Sequence, residues 1–158
     1  MSDGNTADYS KDFDKGTLEG AQGTIPGASP KDELKQRLAD FYKQSSGKEL
    51  ADYSYAAESY DATTLAALAA VKGKGTDSGT IQANMAAVSG ADGGTKCETF
   101  KACKDLLDKG EDIQYTGPSG IGPFDSNNDP SSAYIGIYKF DGDNKPVYQS
   151  AIQGSVSK

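Results

Sequence analysis

Apolar residues recur at helical spacing over four stretches of the chain, and these stretches predict four α-helices. The predicted helices lie between Ser29 and Gly47, from about Tyr55 to Val71, between Asp77 and Ser89, and from about Thr99 to Lys109. Ser29 and Asp77 are candidate N-caps, while Gly47 and Gly110 are typical of helix ends. The first helix is expected to bury one face, which is formed by Leu34, Leu38, Phe41 and Tyr42.

Alternating apolar and polar residues predict strands on both sides of the helical region. One strand is expected from Leu18 to Ile25, and another begins at Ile113 and Tyr115. A C-terminal β-hairpin is predicted from Ala133 to Phe140 and from Val147 to Ile152, joined by the turn Asp141-Gly-Asp-Asn144. The glycine-rich stretch from Ser89 to Thr95 is predicted to be a loop. This order departs from the strand–helix alternation of a self-sufficient doubly wound domain, so the chain is interpreted as a portion of a larger α/β fold.

The amino-acid composition argues against two classes of function, nucleic-acid binding and catalysis. The chain has 158 residues, with 16 basic and 23 acidic side chains that give a net charge of −7. An acidic surface without basic clusters argues against nucleic-acid binding, because phosphate contacts need concentrated Lys and Arg. Histidine is absent from the sequence, which removes the usual general base, the usual zinc ligand and every Ser–His or Cys–His nucleophile pair. The chain is therefore not expected to be an enzyme, and no cofactor or metal is predicted.

The two cysteines, Cys97 and Cys103, leave two interpretations open. They would be buried thiols in a reducing cytosol and one disulfide in an exported protein. Met1 is followed by Ser-Asp-Gly-Asn, without the basic and apolar segments of a signal peptide. If the protein is exported, the chain is expected to be part of a longer precursor.

Four blocks of residues, taken in order, resemble a known family. They are Tyr53-Ser-Tyr-Ala-Ala-Glu-Ser-Tyr60-Asp61-Ala, Cys97-Glu-Thr-Phe-Lys-Ala-Cys103, Ile113-Gln-Tyr-Thr-Gly-Pro-Ser-Gly120 and Phe124-Asp125. The chain resembles the C-terminal part of type I periplasmic solute-binding proteins, in particular the branched-chain amino-acid receptors of ABC importers. The resemblance spans nearly the whole chain but only the last two-fifths or so of a typical family member.

The resemblance implies an α/β fold like the C-terminal portion of a two-lobed binding protein. Residues 1–46 would match the second lobe, residues 47–112 mainly the first lobe, and residues 113–158 a turn-rich segment with the C-terminal hairpin, together expected as one compact unit. The implied function is binding of a small amino acid, branched-chain by preference, in an interdomain cleft without catalysis. The implied partners are the amino acid and the ABC permease subunits of the full-length protein. Its implied location is extracytoplasmic, in the periplasm or lipid-anchored at the cell surface.

The resemblance also assigns roles to particular residues. Asp3 would accept the ligand ammonium, since a buried ammonium needs a carboxylate partner; Asp3-Gly4-Asn5 is also typical of a surface turn. Tyr55 would line the pocket and cover an aliphatic ligand side chain. Cys97 and Cys103 would form a disulfide. Asp61, by contrast, is expected to cap a helix or pair with a turn.

Two alternatives to a transport receptor remain from the sequence. One is a secreted structural, interaction or ligand-sensing domain of the same fold. The other is an enzyme that uses paired carboxylates; the acidic residues, however, fall on turns and helix surfaces rather than in a cluster. Because the resemblance covers part of a larger fold, the second and third helices are expected to expose core faces. Such faces would give either marginal stability or self-association of this chain.

Overall fold

The computed structural model describes residues 1–155, which form an α/β fold with four α-helices and short strands. The helices are α1 (Asp32–Ser46), α2 (Ala56–Gly73), α3 (Ser78–Ser89) and α4 (Phe100–Leu107). The strands are β1 (Gln22–Pro26), β2 (Thr95–Cys97), β3 (Ile113–Tyr115), β4 (Ser132–Phe140) and β5 (Pro146–Ser155). None of the helices within this range is both long and apolar enough to cross a membrane.

The described chain divides into two compact units. The first unit comprises Met1–Tyr55 and Tyr134–Gly154, and the second comprises Ala56–Ala133 together with Ser155. The sequence predicted three consecutive segments in one compact unit, whereas in the structure the first unit is discontinuous along the chain. The assignment of these segments to the lobes of a larger binding protein stays a prediction.

Local capping marks the start of α3 and the end of α1. The Asp77 carboxylate accepts the Thr80 amide at 3.0 Å and starts α3, as predicted. Gly47 ends α1 in the left-handed region with φ 72°, also as predicted. The prediction for the start of α1 was wrong: Lys31 occupies the N-cap position without a side-chain capping bond, and Ser29 lies outside the helix.

The first unit is built on a three-stranded sheet with the order β1–β4–β5. β1 and β4 are antiparallel, with Gln22 opposite Lys139 and Pro26 opposite Ile135. The predicted C-terminal hairpin is present as β4 and β5. Its turn is stabilised by Asn144, which is 1% exposed and donates from its side chain to the Asp14 carbonyl at 2.8 Å. This bond fixes the N-terminal segment against the hairpin.

The second unit packs helices around a small parallel sheet of β2 and β3. The predicted glycine-rich loop overlaps the start of β2 at Thr95. This strand has only three residues, too few for alternating apolar and polar positions to predict it. The core of the second unit consists of buried residues from α2, α3, α4 and both strands: Leu65, Leu68, Ala69, Val88, Cys97, Cys103, Ile113 and Tyr115. Cys97 and Cys103 form a disulfide with 5.3 Å between their Cα atoms, which links the end of β2 to α4.

Asp61 is fully buried on α2, at 0% exposure, and pairs with a turn as the sequence predicted. Its carboxylate accepts the Tyr115 hydroxyl at 2.7 Å, the Ser119 amide at 2.8 Å, and the Ser119 hydroxyl. Burial, followed by the hydrogen bond to Asp61, raises the pKa of the Tyr115 phenol. These hydrogen bonds attach α2 to β3 and to the turn that follows β3. Asp61 therefore has a structural role in the core of the second unit.

The exposed large apolar side chains do not lie where the sequence predicted. Those in the described part of the chain are Met1, Phe13, Phe41, Tyr42, Tyr55, Phe100, Ile135, Val147, Tyr148 and Ile152. None of them lies within α2 or α3, so the expectation of exposed core faces on these two helices was wrong. On α1, Leu34 is buried at 6% exposure, but Phe41 is 70% exposed and does not belong to the buried face.

Candidate functional site

Asp3 lies on a short 3₁₀ helix, Asp3–Asn5, that is held against β1. The Thr24 amide donates to the Met1 carbonyl at 3.0 Å, and the buried Thr6 hydroxyl donates to the Ser2 carbonyl at 2.9 Å. Gly23 on β1 permits this approach, because a Cβ at that position would overlap the Thr6 side chain. The residues on both sides of Asp3 are therefore fixed, while its own side chain stays at the surface.

The structure brings together the two residues that the resemblance assigned to ligand binding. The Tyr55 hydroxyl donates a hydrogen bond to Oδ1 of Asp3. The Tyr55 side chain is 40% exposed, so its ring is accessible from solvent. Because a carboxylate offers about four lone-pair positions, Asp3 can accept a hydrogen bond from the Tyr55 hydroxyl and another from a further donor at the same time.

The backbone of Tyr55 is in an unusual conformation. Its φ of 60° lies in the left-handed region, which an aromatic residue enters at a cost of about 1–3 kcal/mol. Such positions concentrate at functional sites, where the surrounding structure imposes them. The conformation places Tyr55 directly before α2, with its side chain directed to Asp3. No feature of the sequence predicts this backbone geometry.

The contact with Asp3 changes the acidity of Tyr55. The hydrogen bond to Asp3, then desolvation, raises the pKa of the Tyr55 phenol to about 12 from its ordinary value of 10.0. The folded protein therefore favours the neutral phenol. The stabilisation from this contact is fully present below pH 10.0 and is lost as the pH rises towards 12.

We expect Tyr55 to ionise about two pH units later than an ordinary tyrosine, since Asp3 accepts the proton-bearing hydroxyl. An ultraviolet titration of tyrosinate, taken as the difference between wild type and Tyr55→Phe, isolates this one phenol. Asp3→Ala should return the Tyr55 pKa towards 10.0. A Tyr55 phenol that ionises at its ordinary pH in the wild type would show that the contact is absent in solution.

A cleft of about 380 Å³ also lies within the first unit. Its lining includes three tyrosines from separate parts of the chain, Tyr53, Tyr138 and Tyr148, and neither Asp3 nor Tyr55 belongs to it. Lys35 lies 5.9 Å from the centre of the Tyr53 ring, and the rings of Tyr138 and Tyr148 are 5.6 Å apart in an edge-on arrangement. The sequence did not predict this cleft, because its three tyrosines come from separate parts of the chain.

The fold is that of part of a type I periplasmic binding protein. A solved structure with this fold is a leucine-binding protein from Thermotoga maritima, which matches with a TM-score of 0.51 and 17% sequence identity. The match covers 85% of this chain and 31% of the leucine-binding protein, so the chain spans about a third of that protein's length. No protein-family model and no curated protein sequence matches the chain.

Proposed function

We propose that this chain supplies part of the ligand site of a non-catalytic amino-acid-binding protein that serves an ABC importer. The observation that supports this proposal best is the contact between Tyr55 and Asp3, which joins the two residues assigned by the family resemblance. In the proposed complex, the ligand ammonium binds the Asp3 carboxylate. The exposed ring of Tyr55 covers an aliphatic side chain, which favours a small branched-chain amino acid.

The chemistry of the pair suits a zwitterionic amino acid better than an anion. Asp3 contributes a negative charge, and the hydrogen bond from Tyr55 fixes the position of that charge before the ligand arrives. The ammonium of the ligand would form a charge-assisted hydrogen bond with the carboxylate. A purely anionic ligand would instead be repelled by Asp3.

The cellular context of the proposal follows from the disulfide and the family resemblance. A disulfide between Cys97 and Cys103 is typical of an oxidising, extracytoplasmic compartment. We therefore place the protein outside the cytoplasm, in the periplasm or anchored at the cell surface. Its partners in the full-length protein are the amino acid and the permease subunits of the importer.

Thermal unfolding of the oxidised chain with and without leucine, isoleucine or valine tests the proposal. Because a ligand that binds only the folded state stabilises it, at least one of these amino acids should raise the melting temperature. Asp3→Asn should raise the dissociation constant of that amino acid at least tenfold. Asp92→Asn, which changes an exposed carboxylate in the same way, is the matched control and should leave the dissociation constant unchanged. If none of the three raises the melting temperature of the wild type, or if Asp3→Asn binds as tightly as wild type, the proposal is wrong.

A further inference from the structure

Strand β5 forms the outer edge of the sheet in the first unit. The order β1–β4–β5 leaves one side of β5 without a partner strand among residues 1–155. β5 is ten residues long, and its sequence Pro-Val-Tyr-Gln-Ser-Ala-Ile-Gln-Gly-Ser contains no charged residue. Proteins ordinarily protect such edges with charges, bulges or very short strands, because the free backbone groups pair readily with another strand.

The hairpin register determines which residues of β5 direct their backbone groups to the free edge. The Asp141 amide donates to the Lys145 carbonyl at 3.0 Å, and the Tyr138 ring contacts the Tyr148 ring across the two strands. Both contacts fit the antiparallel register in which Asp141 lies opposite Lys145 and Tyr138 lies opposite Tyr148. Because backbone groups alternate sides along a strand, the even-numbered residues Tyr148, Ser150 and Ile152 present their N–H and C=O groups outwards.

We propose that β5 pairs with β5 of a second copy of this chain, antiparallel, about a two-fold axis at Ser150. In this arrangement each Tyr148 lies opposite Ile152 of the other copy, on the sheet face that also carries Tyr138. Tyr148 is 36% exposed and Ile152 is 64% exposed, so each side chain has surface available for a contact with the other copy. Aromatic and β-branched residues form favourable cross-strand pairs, and the symmetry produces this pair twice.

The chemistry of β5 selects a second copy over an unrelated strand. A two-fold axis at Ser150 makes the edge complementary to itself, and it brings no like charges together since the strand has none. The interface is one strand long, about 34 Å by about 10 Å. That area is well below the roughly 800 Å² per partner of a stable complex, so the dimer is weak and forms at high protein concentration.

Sedimentation velocity of the oxidised wild-type chain, up to about 1 mM, measures this association directly. The expected result is a reversible monomer–dimer equilibrium. Because each copy carries a net charge of −7, added salt should strengthen the dimer by screening the repulsion between the copies. A wild-type chain that stays monomeric over the whole concentration range, in low and high salt, overturns the proposal.

Charge substitutions at Ser150 test the register. Ser150 is exposed, so Ser150→Glu and Ser150→Lys leave the packing of each copy unchanged. Each variant alone would place like charges opposite each other at the axis, and its dimer should weaken at least tenfold. An equimolar mixture of the two variants would place opposite charges there, and it should associate at least tenfold more tightly than either variant alone.

Ser45→Glu and Ser45→Lys, on the exposed surface of α1, are the matched controls because they change the net charge equally. The control pair should dimerise like wild type, alone and mixed, apart from a small effect of net charge. If the Ser150 variants behave like the Ser45 variants, association does not run through the β5 edge and the proposal is wrong. The test does not involve Asp3, Tyr55 or any ligand, so its outcome is independent of the proposed amino-acid binding.

Discussion

Replacing Asp61 with alanine is expected to destabilise the second unit by about 3–5 kcal/mol. The substitution leaves the Tyr115 hydroxyl and the Ser119 amide and hydroxyl without their acceptor in the protein interior. A buried donor without a partner costs about 1–3 kcal/mol, and several donors lose their partner at once. The loss should therefore exceed that of an ordinary helix substitution.

Denaturant unfolding followed by circular dichroism measures this loss, and hydrogen exchange of the α2 amides locates it. Asp61→Asn retains one acceptor oxygen, so its cost should be intermediate, at about 1–3 kcal/mol. Asp92→Ala removes an exposed carboxylate of the same unit and should have almost no effect. Equal stability of Asp61→Ala and Asp92→Ala would contradict the buried network.

Gly117→Ala is expected to destabilise the same unit by about 1–3 kcal/mol. A Cβ on Gly117 would overlap the Asp61 carboxylate and the Tyr115 hydroxyl, so the network must shift to admit one methyl group. The effect is steric, because Gly117 does not adopt a positive φ. Gly154→Ala is the matched control, since a Cβ on Gly154 would meet open space.

A double-mutant cycle connects the two predictions. Asp61→Ala removes the carboxylate that the new methyl group would overlap. Gly117→Ala should therefore cost about 1 kcal/mol less in the Asp61→Ala background than in the wild type. Strictly additive losses in denaturant unfolding would show that the two residues are not in contact.

The sequence predicted the helices of this chain better than the packing of their faces. Capping chemistry is local, so Asp77 and Gly47 could be recognised from their neighbours alone. Burial depends on what the rest of the chain supplies, and periodicity does not reveal it. Phe41 fits the apolar stripe of α1 by spacing, yet it is 70% exposed because no described element covers that part of the helix.

The candidate site was predictable only through the family resemblance. Composition and spacing do not relate Asp3 to Tyr55, because their contact depends on the fold and on the left-handed backbone at Tyr55. Their role in ligand binding stays a prediction. Asp61 shows a different limit: its pairing with a turn was predicted and is confirmed, but only the structure identifies Ser119 as the partner.

The discontinuity of the first unit has a consequence for how the protein is synthesised. β1 emerges from the ribosome before the second unit, whereas its partner β4 is completed only after nearly all of that unit. In the second unit, by contrast, β2, α4 and β3 are consecutive, and the disulfide joins residues only six positions apart. Contacts that are local in sequence form quickly, so the second unit can fold while translation continues. The residues around Asp3 acquire their full sheet only after the second unit has been synthesised.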